Sequence, residues 1–365
     1  MRSLSYLSQI FLFLCFASLL LIVSCANLGP KTLKSERSNY NVAVQRTNDE
    51  ELLLNLVRLK YRDTPFFMEV SSMASQFILS TKANASASLQ NGVEGLFGLG
   101  GSLGVTEKPT VTYSPLQGDR FIQRVLSPLP LDTITLLFNS GWNIERIFRL
   151  CFQRMNNLKN APGASGPTPS RSPYFIEFIS AVKYLRLLQI EDAINLSYQE
   201  ENGVPQLILN INDADKNRAE ARQFALAANV EPGKTRYVLA FSADSNKTNH
   251  IRVVTRSLLG IMFYISQAVE VPSKDISKGK VTQTQTRDGK IFDWDKVMGD
   301  LLKIRSASEK PQEYPMTIFY RGSWFYINDS DLSSKSTFSL LSQIFSLQAG
   351  KIKDNAPLLT LPIGQ

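Results

Sequence analysis

Side chains that commonly carry out catalysis are scarce in this sequence of 365 residues. It has one histidine, His250, and three cysteines, Cys15, Cys25 and Cys151. A zinc site built from several histidines is therefore excluded. A Ser-His-Asp triad would have to use His250, and the sequence has no Gly-x-Ser-x-Gly turn to hold its serine. We therefore expect no catalytic residue, no metal and no cofactor, and interpret the chain as not an enzyme.

Charge clusters and phosphate-binding loops are lacking as well. The 40 Lys and Arg residues outnumber the 32 Asp and Glu residues, but they are scattered along the chain. Without a clustered basic helix we expect no nucleic-acid binding. The excess positive charge indicates a solvated surface, or attraction to anionic lipid headgroups and cell-wall carboxylates. The glycine-rich run 98–104 matches no phosphate-loop pattern. The pairs Asp213/Asp215 and Asp293/Asp295 lie in polar turns, where helix caps are favoured over an acid–base pair.

A signal peptide is predicted at residues 1–24. Arg2 supplies a positive charge, and an apolar run from Ile10 to Val23 follows. A helix of that length would cover about 21 Å, which is short of the hydrocarbon layer of about 30 Å. Cleavage after export is therefore favoured over a permanent membrane helix.

The end of that run, Ile22-Val23-Ser24-Cys25, resembles the lipobox of bacterial lipoproteins. The resemblance implies that Cys25 is acylated, with palmitate among its chains, and becomes the first residue of the mature protein. Several acyl chains make a stable membrane anchor. Ala26 follows in place of the Asp that retains many lipoproteins at the inner membrane. By that sorting rule we expect the outer membrane, with the protein facing the periplasm.

The mature chain is predicted to have two regions joined by a linker. Residues 25–46 are polar and predict a lipidated tether, and a capping box from Thr47 to Glu50 predicts a helix start. Proline and glycine are frequent in residues 160–173, which predicts the linker. The regions are thus a signal peptide at 1–24, the tether at 25–46, an N-terminal region with a long hairpin and helices at 47–159, the linker at 160–173, and a C-terminal α+β domain at 174–365.

Alternation with period 2 predicts a long amphipathic β-hairpin at about 77–105. Odd-numbered positions of both limbs are mostly apolar or small, and even-numbered positions are mostly polar or small. Asn91-Gly92 lies between the limbs and is a strong two-residue turn signal, since both residues accept a positive φ. We expect Glu107-Lys108-Pro109 to interrupt the second limb. Such limbs are long enough to span a membrane, but a lone hairpin would leave its edges unpaired in lipid. It would therefore need a ring of subunits, or would lie on the soluble body beneath a helix.

Helical and extended patterns alternate through the rest of the chain. An apolar stripe through residues 142–158 predicts a helix that buries Cys151. Hairpins are predicted around Asn202-Gly203 and around Arg321-Gly322-Ser323, and a very apolar helix is predicted at 253–269. Helices interspersed with antiparallel hairpins predict an α+β fold.

Three segments extend the resemblance beyond the lipobox. Leu52–Pro65, Pro109–Leu116 and Trp324–Gln348 resemble blocks of a group of Gram-negative lipoproteins, and this resemblance implies no activity. We interpret the chain as a non-enzymatic outer-membrane lipoprotein that is a structural or binding component of an envelope assembly, with other envelope proteins as partners. One alternative is a subunit of an oligomeric outer-membrane β-barrel pore that contributes one hairpin. Another is a periplasmic hydrolase that uses serine and carboxylates.

Overall fold

The computed structural model of the protein describes residues 28–87, 97–242, 247–312 and 316–350. Its helices are α1 (Leu28–Lys60), α2 (Asp119–Leu126), α3 (Leu131–Asn139), α4 (Ile144–Cys151), α5 (Ile176–Ile190), α6 (Ala219–Ala227), α7 (Leu258–Ser266), α8 (Ser273–Ser277), α9 (Asp295–Met298) and α10 (Leu332–Gly350). Its strands are β1 (Met68–Ala87), β2 (Phe97–Pro115), β3 (Phe152–Met155), β4 (Leu158–Lys159), β5 (Ile194–Glu201), β6 (Val204–Ile211), β7 (Arg236–Ala240), β8 (His250–Thr255), β9 (Arg305–Ala307), β10 (Thr317–Tyr320) and β11 (Ser323–Tyr326).

The strands form three sheets, and the predicted α+β class is confirmed. The largest sheet has six strands in the order β4-β3-β8-β7-β6-β5. Its neighbouring strands are antiparallel except β7 and β8, which are parallel. A smaller sheet has the order β10-β11-β9, and β1 pairs with β2 alone in the third. Helices pack against the largest sheet; α3, for example, contacts β5 and β6.

Two of the predicted hairpins are present and have the expected turn chemistry. Asn202 and Gly203 have φ of 52° and 75°, and the flanking residues Glu201 and Val204 pair. Positive φ at both central residues is the requirement of the type I′ turn that joins β5 to β6. The turn between β10 and β11 is similar, with two central residues rather than the three expected, because Ser323 already pairs with the last residue of β10.

Helix α1 begins at Leu28, so the predicted helix start at Thr47 is wrong. The Thr47 hydroxyl donates a hydrogen bond to the backbone oxygen of Val44 within the helix instead of capping it. The predicted tether is thus helical from Leu28 to residue 46. The last turns of α1 enter the core, where Leu53 and Leu56 are completely buried.

The hairpin of β1 and β2 is longer than the predicted limbs. Odd-numbered residues pair with odd-numbered residues from Ala87 opposite Phe97 to Ser75 opposite Pro109, which is the phase that the alternation predicts. The expected interruption at Glu107-Lys108-Pro109 is wrong, since β2 continues to Pro115. Proline is tolerated in a strand whose outer edge is open, because its missing N–H then removes no ladder hydrogen bond. The predicted turn Asn91-Gly92 lies outside the described residues.

Two predicted helices are shorter than expected because some of their residues belong to strands of the large sheet. The helix with the Cys151 stripe ends at Cys151, and the chain turns directly into β3. The helix predicted at 253–269 covers only α7, because residues 253–255 belong to β8. Short apolar runs fit a buried helix and a buried strand equally well.

The segment predicted as a linker, 160–173, is partly inside the protein. Asn160, Ala161 and Ala164 are completely buried, and Thr168 is nearly so. One cluster of buried apolar residues, from Leu52 to Ile344, contains members of both predicted regions.

Candidate functional site

A cleft of about 440 Å³ lies beside the C-terminal end of α1. Its lining comes from Lys60, the chain that follows α7 (residues 267–271), Ile276, the loop 281–284, residues 291–295, the end of α9 and residues 303–305. This volume is in the range of small-molecule pockets in proteins. We take the cleft as the candidate functional site.

Lys60 is the unusual side chain of this cleft. Lys60 follows Leu53, Leu56 and Val57 at helical spacing, so it lies on the face of α1 that packs into the core. Only 6% of the residue is exposed. Its Nζ donates a hydrogen bond of 2.9 Å to Oε1 of Gln267. The structure thus places an amine in a position normally held by an apolar residue.

Gln267 is fixed by further hydrogen bonds, so the acceptor for Lys60 is preorganised. Its Nε2 donates to the backbone oxygen of Phe263 at 3.2 Å and to Oγ1 of Thr168 at 3.3 Å. With both donors engaged in this way, the amide oxygen is the atom left to face Lys60. This arrangement supplies a neutral partner, not a negative charge.

Burial lowers the pKa of the Lys60 ammonium from 10.5 to about 8. No carboxylate of the described residues forms an ion pair with it. At pH 7 about nine in ten molecules would still carry the charge. The site can therefore hold an anion through the ammonium, and above pH 8 it presents a neutral amine.

The other charged groups of the cleft are paired with one another at its rim. Lys303 Nζ lies 3.0 Å from Oδ2 of Asp295, and an Arg305 nitrogen lies 3.8 Å from Oε2 of Glu270. Oδ1 of Asp293 accepts a hydrogen bond of 2.9 Å from the backbone N–H of Asp295 in the turn that leads into α9. All four side chains of the two ion pairs are 30% or more exposed, so water screens them.

The remaining wall is apolar and partly aromatic. Phe292 and Trp294 meet edge to face with ring centroids 5.2 Å apart, and both pack against the core. The Trp294 Nε1–H donates to Oγ1 of Thr284 at 3.0 Å, which fixes the indole. At the mouth, Ile291 is 65% exposed and Ile276 is 37% exposed. The cleft thus combines an apolar surface with one buried cation.

A polar network anchors the end of α1 next to the cleft. Asp275, 1% exposed, accepts hydrogen bonds from the hydroxyl of Tyr61 at 2.7 Å and from Lys280 at 2.6 Å. Burial alone would raise the pKa of Asp275, but these two donors hold it below its usual value. Asp63 pairs with Arg321 at 2.9 Å. These bonds tie the helix end to α8 and to the β10–β11 turn, and so hold Lys60 in place.

A second buried network fixes the turn from α4 into β3 and lies away from the cleft. Arg256 is completely buried, and its guanidinium donates to the backbone oxygens of Arg149, Leu150, Phe152 and Asn160. Its charge also lies 3.8 Å from the centre of the Tyr264 ring. These contacts stabilise the fold, because they satisfy carbonyl groups that a helix end leaves without partners.

Of the residues singled out from the sequence that the structure describes, Asp293 and Asp295 line this cleft and the others lie apart from it. Cys151 is buried, as the stripe predicts, and burial raises the pKa of its thiol to about 12. His250 is half-buried at the start of β8. The turn carboxylates Asp213 and Asp215 pair with nearby Lys216 and Arg218. Cys25 lies outside the described residues.

Searches for ligand clusters and for similar proteins give negative results. In the described ranges no group of three or more His, Cys, Asp or Glu side chains is placed to hold a metal ion. No helix in those ranges has the length and apolar character needed to cross a bilayer. Compared with known protein families, curated proteins and solved structures, the chain gives no significant match.

Proposed function

We propose that the protein is a lipid-anchored component of the bacterial envelope that acts by binding and not by catalysis. The observation that carries this proposal is the lipobox-like Ile22-Val23-Ser24-Cys25 after an apolar run too short to span a membrane. The acylated Cys25 holds the protein at the outer membrane, facing the periplasm. Other envelope proteins are its partners.

The hairpin supports a role in assembly. Strands of 20 and 19 residues form a ribbon of about 60 Å at about 3.3 Å per residue. In the part of the chain that the structure describes, no third strand joins them. A two-stranded ribbon is marginally stable in water on its own and offers unpaired backbone groups on both edges. A partner that covers these edges would stabilise it.

Substitution of the acylated cysteine tests the anchor. In cells that express Cys25→Ala, we expect loss of palmitate labelling and release of the protein from outer-membrane fractions. Cys15→Ala is the matched control, because it changes the other cysteine of the first 25 residues and leaves the lipobox intact; it should remain labelled and membrane-bound. A Cys25→Ala protein that still floats with outer membranes would contradict the anchor.

A pore subunit is the second candidate function, and the length of the hairpin favours it. A membrane-spanning strand needs about 9–11 residues, and both β1 and β2 exceed this. The register places Ala85 opposite Leu99 and Ser86 opposite Gly98, so near these residues an apolar pair alternates with a pair of serine and glycine; nearer the body, Phe77 lies opposite Glu107. Such a ribbon, contributed by each subunit of a ring, would give a closed barrel with an apolar outside.

Neighbouring arginine substitutions distinguish the pore from a peripheral scaffold. If the odd-numbered face contacts lipid, Ala85→Arg should cost about 2–4 kcal/mol near the midplane and abolish the oligomer in mild detergent. Ser86→Arg, one position along the same strand, should leave the oligomer intact. A wild-type protein that is monomeric by light scattering in detergent would rule out the pore and leave the anchored binding protein.

A further inference from the structure

We propose that the Lys60 cleft is a binding site for a small monocarboxylate with an apolar body, whose carboxylate pairs with the Lys60 ammonium. This inference concerns the soluble body and does not depend on the membrane anchor or on the hairpin. Its basis is that one cleft contains two features. The first is a buried cation whose hydrogen-bond partner is neutral, and the second is an apolar surface that is open to solvent.

The Lys60 ammonium has more hydrogen-bond donors than the described residues engage. An ammonium has three N–H groups, and among the described residues the hydrogen bond to Gln267 is the one that the side chain makes. A buried charge without a counterion is costly. An anion in the cleft would supply the missing negative charge and accept the remaining donors. Removal from water also lowers the pKa of Lys60, to about 8.

The wall of the cleft determines the rest of the ligand. Phe292 and Trp294 present aromatic surface, and Ile291 at the mouth is 65% exposed. Covering such surface is favourable by about 25 cal/mol per Å² of apolar area. An apolar body of the size of a phenyl ring fits easily within about 440 Å³.

The rim charges favour a single negative charge over a phosphate or a dicarboxylate. Lys303 and Arg305 already face Asp295 and Glu270, so they are not free to hold a second anionic group. The exposed carboxylate of Asp293 would repel one. One buried ammonium therefore matches one carboxylate.

The probes are 3-phenylpropionate, its neutral analogue 3-phenylpropanol and the cation 3-phenylpropylamine. Each is titrated calorimetrically into the full-length protein in mild detergent at pH 7, where the neutral analogue reports any partition into micelles. We expect the acid to bind at least 10-fold more tightly than the alcohol, and the amine to bind more weakly than either. Equal affinity for the acid and the alcohol, or tighter binding of the amine, would overturn the proposal.

Two lysine variants test the residue assignment. Lys60→Met keeps the length and apolar stem but removes the charge, and should reduce the affinity for 3-phenylpropionate at least 10-fold while leaving the affinity for the alcohol unchanged. Lys303→Met removes a charge from the rim of the same cleft, and should change the affinity for the acid less than about twofold. The reverse pattern would place the anion at the rim and refute the assignment.

A measurement on the wild type covers the case in which Lys60→Met does not fold. Affinity for 3-phenylpropionate should decrease as pH rises from 7 to 9.5, because Lys60 loses its proton in that interval, whereas affinity for the alcohol should not change. Carboxylate binding should also take up protons at pH 8.5, which appears as a dependence of the measured heat on the ionisation enthalpy of the buffer. An affinity for the acid that is independent of pH would contradict the proposal.

Discussion

Single residues decide how this protein accommodates buried positive charge. Arg256 and Lys60 are both removed from water, but Arg256 donates to four backbone oxygens and to the Ser165 hydroxyl, and it lies over the Tyr264 ring. Lys60 has a compact ammonium and one amide acceptor, Gln267. The planar guanidinium suits a cage of carbonyls, and the ammonium does not. The Arg256 site is therefore complete within the fold, whereas the Lys60 site has capacity for a ligand.

The buried amine predicts a specific pH dependence of stability. The pKa of Lys60 is about 8 in the folded protein and near 10.5 in the unfolded chain, so between these values the unfolded state binds more protons. Stability contributed by this group therefore rises with pH in that window. In urea titrations, wild type should gain about 2 kcal/mol relative to Lys60→Met between pH 7 and pH 9.5.

The Lys60→Met comparison cancels the other groups that titrate in the same window, because they are common to both proteins. Lys303→Met serves as the control, since Lys303 is paired and partly exposed at the rim. It reports the effect of deleting a lysine from the rim of the same cleft. A difference between wild type and Lys60→Met that does not change with pH would mean that the Lys60 amine is solvated.

At the scale of elements, turns could be predicted where the backbone needs a positive φ, because few residue types accept it. Asn202-Gly203 and Arg321-Gly322 both adopt positive φ at two successive residues, and both join antiparallel strands. By contrast, the Thr47 capping box has the right residues but lies within α1. An N-cap residue begins a helix only where the residues before it are not helical, and residues 28–46 are helical.

The β5–β6 turn gives a test at this scale. Gly203 has φ of 75° and open space where a Cβ atom would project, so Gly203→Ala introduces backbone strain without a clash. We expect a loss of about 1 kcal/mol in the free energy of unfolding. Gly166 also has open space, but its φ is −137°, a conformation that alanine adopts freely. Gly166→Ala should change stability by less than about 0.5 kcal/mol, and equal losses in both variants would exclude backbone strain as the cause.

At the scale of the whole molecule, the buried segment 160–168 joins the two predicted regions. The side-chain amide of Asn160 donates hydrogen bonds to the backbone oxygens of Arg149 and Phe152, and the backbone oxygen of Asn160 accepts one from Arg256. Ser165 accepts a further bond from Arg256. A flexible linker would not be held by a network of this kind. The body is therefore expected to unfold as one cooperative unit.

Thiol labelling in urea tests that expectation. In a Cys15→Ser/Cys25→Ser background, Cys151 is the only thiol, and it is completely buried with a pKa raised to about 12. Its labelling by a hydrophilic reagent should begin at the urea concentration at which helical circular dichroism is lost. Adding Ser330→Cys, at an exposed position, should give immediate labelling of one thiol. Two separate transitions, or early labelling of Cys151, would indicate two independent domains.

Sequence patterns predicted much of the fold, because local periodicity and turn chemistry act over a few residues. The stripe that contains Cys151 is helical as far as Cys151, as expected, and the alternation in 77–105 gives the phase of the hairpin. The candidate site was harder to predict. Its signal was present, since Lys60 occupies a core position of an amphipathic stripe, but the same pattern also fits a lysine whose stem lies along the surface.

By itself the sequence determined the α+β class, the burial of Cys151 and the scarcity of histidine and cysteine, since composition and short-range pattern are sufficient for these. Only the tertiary structure decided that residues 253–255 form a strand, that segment 160–168 is part of the core, and that Lys60 meets Gln267 at the edge of a cleft. Each of these depends on contacts between residues roughly one hundred to two hundred positions apart. Such contacts follow from how the elements pack together, and no local pattern encodes them.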